Sequence, residues 1–584
     1  MPSNDPRSTP ARLTTPATAK LPRSFLLLLG VIYIFSGLFF RDPWKTDDVA
    51  GLATMLTALH GTGHALLLPQ IGTLAYAQNG PLITWVGTFS IWLFEPLFEL
   101  FTTPLDAAII ASRLPNLLWF GLLLWSVWYG TYLLGRRPEP QPLALPFGGE
   151  PTVRDYGRMI ADAALLLTIA TVGILWRTHE TSEVPALLAF QALAFYAAAR
   201  MLDRPFSGAI TLGVALAAAF LTRGWIGSLP IMAAAACLCA PRSALWRAKH
   251  WFIVSAVICA AFILLWWIPA DRVSPYWTHN WWLWNIDSFT WPRYRVVLGI
   301  LRDLPWFLWP TWPFALLALW RWRSWLFAPH IWIPAMFLLW PLIIMLCLAD
   351  PFEPEYSLMA VPSAALAAFA LPTLRRGVVN SLDWFAVMCF SLTSATVWLG
   401  WIALQTGWPH QIANNIARQT TGYTPRLHLL ALAMAGIITV IWIALVRWRL
   451  YVKPQALWRG TVLSASGLVV TWVLLVTLWM PALDYIRTYR PVSAQLAAAL
   501  HEYQKPGECL RAFDLGLGQR ASFFVFNGIK LSYRPDCTLI LQQTTPRQVA
   551  RGEEAFADPA AARVLWTGGR AADRQELFRL LRVQ

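Results

Sequence analysis

Charge is what this chain has least of. Only 13% of its 584 residues are Asp, Glu, Lys or Arg, while 57% are hydrophobic. Soluble domains carry roughly 25% charged residues. A water-soluble globular fold is excluded, and a polytopic membrane protein is the class that fits. Other signals are missing too. No Walker-type loop is present, so nothing points to ATP-driven work. No cysteine or histidine group has zinc-site spacing. No repeat relates the two halves, as it often does in secondary transporters. No small-residue cleavage site follows the first apolar run, Ser24 to Phe40, which therefore reads as an uncleaved helix.

Tryptophan and positive charge are in excess. The 35 Trp gather near the ends of apolar runs, as interfacial belts do. A net charge of +15 reads as Lys and Arg holding the topology, and nucleic acid is not an expected partner. Residues 1–23, rich in Pro, Ser and Thr and basic, read as a disordered cytoplasmic tail. Residues 24–480 form the transmembrane domain. Their apolar runs predict about 13 helices at roughly 20 residues each.

The segment "PLITWVGTFSIWLFEPLFELF" (81–101) decides the orientation of everything after it. If it does not span, the basic clusters at 135–158, 200–204, 241–249, 321–323, 374–376 and 447–453 fall on the cytoplasmic side. Glu95, Pro96 and Glu99 are also costly in hydrocarbon. It therefore reads as a juxtamembrane or re-entrant helix inside a first external loop, 41–106. The other external pieces are 177–184, 222–224, a second large loop at 271–303, and 349–356. Residues 481–584 form an external α/β domain. There "ASFFVFNGIKLSY" and "CTLILQQ" have strand-like alternation, and "ADRQELFRLLRVQ" has a helical pattern. Cys509 and Cys537 read either as a disulfide in an oxidising compartment or as two reduced buried thiols.

The polar residues outside that domain converge on the external side. Asp47 and Asp48 precede an amphipathic helix. An Asp there caps the helix, or serves as general base toward an acceptor hydroxyl. Arg223, in "LTRGW", ends a helix on the side opposite most basic residues. It reads as interfacial snorkelling or as a phosphate clamp. "YAQNGPL" (76–82) forms a turn carrying Tyr76, Gln78 and Asn79. Glu355 and Tyr356 stand at another helix entry. Arg293 and Arg295 lie among Trp residues, a mixture that suits a lipid head group, a sugar or a plain interfacial belt.

In this order the set resembles the membrane glycosyltransferases of the C-type fold, the superfamily of the bacterial lipid A aminoarabinose transferase and the protein mannosyltransferases. The resemblance covers about 24–480 and includes a periplasmic C-terminal domain. It implies a bacterial inner-membrane protein with its N-terminus cytoplasmic. The family's Asp-Glu pair is Asp47-Asp48 here, with Asp47 as the implied base. Its "Y-x-E-K-P-P-L" turn is Tyr76 to Leu82, with Gln78 and Asn79 in place of Glu and Lys. Ala50 stands where relatives often carry an Arg. The family "LTKG" is "LTRG", so Arg223 inherits contact with the donor phosphate, with Arg293 or Arg295 as helpers. The implied activity is transfer of a sugar from a polyprenyl-phosphate donor, with inversion, to a lipid, glycan or protein. Membrane lipids are further partners, no cofactor is demanded, and a divalent metal stays open. The alternatives are a lipid-linked-sugar flippase and a polysaccharide polymerase or ligase. The glycosyltransferase reading requires Asp47 or Asp48 to line one cavity with Arg223.

Overall fold

The computed structural model describes residues 9–583 apart from 45–46, 62, 145, 147, 352, 453–456, 552–561 and 574. The apolar runs fold as helices. The elements used below begin with α1 (Arg23–Phe35), α2 (Asp47–His60), α3 (Leu82–Phe98), α4 (Pro104–Arg113), α5 (Pro115–Gly135) and α6 (Val153–Ala170). They continue with α7 (Val184–Met201), α8 (Pro205–Leu238) and α9 (Pro275–Asp287). Local sequence starts several of them. Thr103 caps α4 and Thr152 caps α6, each accepting from the backbone N–H of an Asp three residues on.

Among the described residues, nine helices are long and apolar enough to cross a membrane, fewer than the roughly 13 expected. α1 has 13 helical residues and falls short. α6 carries Arg154, Asp155, Arg158 and Asp162. The runs 208–222 and 225–240 prove to be the two arms of α8, which breaks at Arg223 (φ −136°, ψ 23°) and Gly224 (φ 59°, ψ −139°). A Cβ on Gly227 would sit 2.6 Å from the Ala219 carbonyl oxygen. In a straight helix residues that far apart in sequence are separated by about 12 Å. α8 is therefore a hairpin, and Arg223 stands at its tip.

α3, the orientation-deciding segment, is a 17-residue helix packed against α2 and α4. Phe89, Trp92, Leu93 and Leu97 remain exposed on it, which suits a helix lying at an interface. The expected disordered tail differs in its second half. Residues 1–8 lie outside the described residues, but Ala11 is buried, Arg12 N–H donates to Pro372 O (3.2 Å), and Ala19 O accepts from the Trp458 indole (2.6 Å). This stretch closes the end of the bundle remote from Asp47.

α10 (Arg459–Arg487) leads directly into α11 (Arg490–Tyr503) and the C-terminal domain. Its sheet holds β1 (Leu510–Phe513), β2 (Leu539–Thr544), β3 (Ala562–Gly568) and β4 (Leu577–Val583), in the order β1-β2-β4-β3. β1 and β2 are parallel and the other pairs antiparallel. Two expectations reverse here. "ASFFVFN" lies in a helix, α12 (Leu517–Asn527), and "LFRLLRV" is strand β4. In each case tertiary packing overrode the local pattern: Phe523 and Phe526 pack inward from α12, and Phe578 and Leu580 from β4. Cys509 and Cys537 are joined as a disulfide. The domain sits on the first loop. Arg490 pairs with Asp42 (2.5 Å) and Asp106 (2.6 Å), and Thr73 donates to Leu531 O (2.7 Å).

Candidate functional site

α2 begins at Asp47, so both acids lie in its first turn, where negative charge suits the helix dipole. Their surroundings differ. Asp48 is buried. Its Oδ2 meets Arg41 (2.5 Å) and Arg113 (3.4 Å) and accepts from Trp44 N–H (3.2 Å). Its Oδ1 accepts from Thr181 N–H (2.7 Å). Burial pushes this carboxyl up, but the two guanidiniums and the Thr181 amide outweigh it and hold it below the usual carboxylate range. Arg41 also donates to His179 O (2.8 Å). Asp48 therefore stitches the start of α2 to the turn 178–183. The two backbones meet without clearance: a Cβ on Gly51 would lie 1.8 Å from Thr181 O.

Asp47 is half-buried, and among the described residues no hydrogen bond or ion pair engages its carboxylate. Burial, then the negative charge of Glu183, raises its pKa to about 6; Arg223 and Arg177 oppose the rise and Glu355 adds to it. Asp48, although adjacent in the chain, is absent from these influences and is paired with Arg41 and Arg113.

Arg223 is the second centre. Its Nη1 donates to Asn79 Oδ1 (2.5 Å) and lies 3.4 Å from Glu183; its Nη2 lies 3.3 Å from Glu355. The Trp284 ring sits 5.3 Å from the guanidinium. Asn79 donates to Glu183 (3.1 Å) and to the Tyr76 hydroxyl (3.2 Å). It thus links an acid and a cation without adding charge. The 76–82 turn is pinned to the hairpin tip by Gly80 N–H donating to Thr222 O (3.0 Å). A Cβ on Gly80 would lie 2.1 Å from Leu221 O. Gly224 is needed for its positive φ, and a Cβ there would strike Asn285 Oδ1 at 2.1 Å.

The single cavity required of Asp47 or Asp48 together with Arg223 is not found: two cavities flank the site, Asp48 lines one of them, and among the described residues neither is lined by Asp47 or Arg223. The larger, about 690 Å³, is lined by Trp44, Asp48, Trp176, Arg177, Glu180 and Arg487 among others. The smaller, about 240 Å³, has Gln78, Trp284, Asp287 and Glu355 on its walls. The segment Glu353–Met359 runs between them: Glu353 pairs with Arg177 (3.4 Å) on one side and Glu355 with Arg223 on the other. Arg177 also holds Glu180 (3.1 Å). Burial lifts Glu180 to about 7, against the pull of Arg177. Arg487 lies over Trp44 and Trp176 (4.8 and 5.4 Å).

The structure brings together Asp47, Tyr76, Gln78, Asn79, Arg223 and Glu355. Tyr356 is buried beside them, edge-on to Phe307 (5.6 Å). It does not bring in Arg293 or Arg295, which are exposed at the start of the helix Tyr294–Phe307. Arg177, Glu180, Glu183 and Arg487 were not foreseen. Three of them lie in "RTHETSEV", whose charge density was the available signal. Among the described residues, the one trio whose ligand atoms converge as for a metal is Cys509, Asp536 and Cys537, and its two sulfurs are bonded to each other. The acids around Asp47 are held by Arg177 and Arg223, and this arrangement does not fit a metal.

No family model and no curated protein matches the chain. The fold does have solved counterparts. It is similar to the crystal structure of ArnT from Cupriavidus metallidurans bound to undecaprenyl phosphate. The TM-score is 0.61 at 14% identity, over 95% of this chain and 97% of that one. The apo structure of the same protein gives 0.59 at 15% identity, over 95% and 98%. The chain is a multi-pass membrane protein with an ArnT-like C-type glycosyltransferase fold and a small C-terminal α/β part.

Proposed function

We propose that this chain is an inner-membrane glycosyltransferase that moves a sugar from a polyprenyl-phosphate donor to a hydroxyl of an acceptor on the periplasmic side, with inversion. The observation that carries the reading is Asp47: a carboxylate that no described residue engages, tuned to about 6 by burial and Glu183, within electrostatic reach of the Arg223 and Arg177 guanidiniums. A general base works best with a pKa near the operating pH. Asp47 takes the proton of the acceptor hydroxyl. The oxygen forms a bond to the anomeric carbon, and the bond from that carbon to the donor phosphate breaks with its electron pair leaving on the phosphate. Arg223 stabilises the departing phosphate by exchanging one of its carboxylate partners for it.

Two features support the placement of the substrates. α9, beside the smaller cavity, exposes Trp282, Leu283 and Ile286, an apolar approach suited to a prenyl chain arriving from the bilayer. The ArnT counterpart binds undecaprenyl phosphate. The larger cavity, with Arg177, Arg487 and its Trp walls, receives the acceptor. Asp47 answers electrostatically to groups on both sides.

The test is release of polyprenyl phosphate in proteoliposomes supplied with undecaprenyl-phosphate pentoses or hexoses and extracted membrane lipid as acceptor. Wild type consumes a donor, Asp47→Asn does not, and Arg223→Ala loses donor turnover. Full turnover in Asp47→Asn refutes the base assignment. Donor crossing the bilayer intact, with no phosphate released, replaces transfer with transport.

A further inference from the structure

A groove of about 820 Å³ lies between α1, α5 and α6, and the reaction above makes no use of it. Two glycines make it deep. A Cβ on Gly121 of α5 would meet nothing within 4 Å, and one on Gly30 of α1 would press on Leu124 at 3.2 Å. The walls are apolar, with Leu27, Val31, Phe35, Leu117 and Trp125 among them. From Arg23 to Phe35 the helix rises about 18 Å. Half the hydrocarbon thickness of a bilayer is about 15 Å. The groove is therefore one leaflet long.

One end is basic. Lys20, Arg23 and Arg158 line it there. Arg158 has an acid partner, Asp155 (3.2 Å). Lys20 and Arg23 are exposed, and among the described residues neither forms an ion pair, although the groove-lining Asp162 lies within electrostatic reach of Arg23 and Arg158. Beneath Arg23, at 5.9 Å, lies the Trp128 ring, whose indole N–H donates to the buried Asp162 (2.7 Å) and is thereby fixed. An apolar slot of leaflet length, whose polar end sets Lys20, Arg23 and Arg158 against Asp155 and the buried Asp162, keeps a positive surplus and matches a diacyl lipid with a negative head group. A zwitterionic lipid brings its own cation and leaves the surplus charge in place. We infer that this groove is a binding site for an anionic glycerophospholipid. It is distinct from the donor path, because its basic end lies at the start of α1 whereas Asp47 follows the end of that helix.

The probe is an equimolar mixture of phosphatidylglycerol and phosphatidylcholine with identical acyl chains, added to the purified full-length protein in mild detergent. Retained lipid is read by native mass spectrometry. Wild type retains phosphatidylglycerol about tenfold over phosphatidylcholine. The double variant K20A/R23A, at exposed positions, retains the two equally. Gly121→Leu fills the slot into open space, keeps the charges, and lowers retention of both. No preference in wild type overturns the inference. So does an undiminished preference in K20A/R23A, or unaltered retention in Gly121→Leu, either of which leaves only ordinary surrounding lipid.

Discussion

Asp47 and Asp48 are adjacent in the chain but belong to two regions built on opposite rules. Around Asp48 every charge is answered: two guanidiniums and two backbone amides converge on one buried carboxylate. Around Asp47 two acids, Glu183 and Glu355, face two cations, Arg223 and Arg177, and among the described residues the carboxylate at the centre is engaged by none of them. The first region holds the start of α2 against the turn 178–183. The second holds an unfavourable charge at the position proposed for the base. Separating two such neighbours is what the pairing with Arg41 and Arg113 accomplishes.

The comparison breaks most visibly if Asp47 is replaced. Asp47→Asn is expected to slow sugar transfer by about 10²–10⁴-fold. Its stability should not suffer. The carboxyl is raised on folding to about 6 from an unfolded value near 3.9, so its ionisation erodes stability as pH rises across that window. Thermal unfolding at neutral pH should therefore show an equal or higher midpoint for the Asn variant. A lowered midpoint that accounts for the lost activity would make Asp47 a framework residue. Asp48→Asn should do the reverse and cost about 3–5 kcal/mol by leaving Arg41 and Arg113 buried without a counter-charge. Denaturant unfolding that matches wild type would refute the lock.

A finer test is Glu183→Gln. With that negative charge gone, Asp47 becomes more acidic, and the acid limb of the pH–rate profile, expected near pH 6, shifts lower. Glu180→Gln should leave the limb near 6; a limb that follows Glu180 instead reassigns the base. The smallest effect is expected from Arg490→Ala. That guanidinium is 39% exposed, so losing its bonds to Asp42 and Asp106 should cost about 1 kcal/mol and loosen the C-terminal domain without moving the acid limb.

Much of this was legible in the sequence. Spanning runs, a paired acid after the first of them, the "LTRG" tip and the "YAQNGPL" turn all stand at recognisable intervals, and the tip and turn do meet. The partners were not legible. "RTHETSEV" reads as a solvated turn, yet His179, Glu180 and Glu183 are buried, because pairings such as Asn79 with Glu183 span 104 residues. Gln78 and Asn79 looked like losses. Asn79 instead carries both hydrogen bonds that join Arg223 to Glu183, a role visible only when all three are adjacent. Arg487 lies just beyond the last apolar run, where helix-end arginines are common, and only the cavity sets it apart. In the C-terminal domain, short segments of alternating and helical pattern exchanged roles because the sheet's packing, and not local preference, set them.

At Gly51 and Gly80 the frame of the site closes backbone to backbone. Neither junction depends on the side chains that face the cavities. Gln78, Trp176, Trp284 and Arg487 can therefore be exchanged through evolution, one at a time, while the base keeps its distance from the hairpin tip. Such a separation lets one scaffold drift from one ligand to another without passing through an unfolded ancestor.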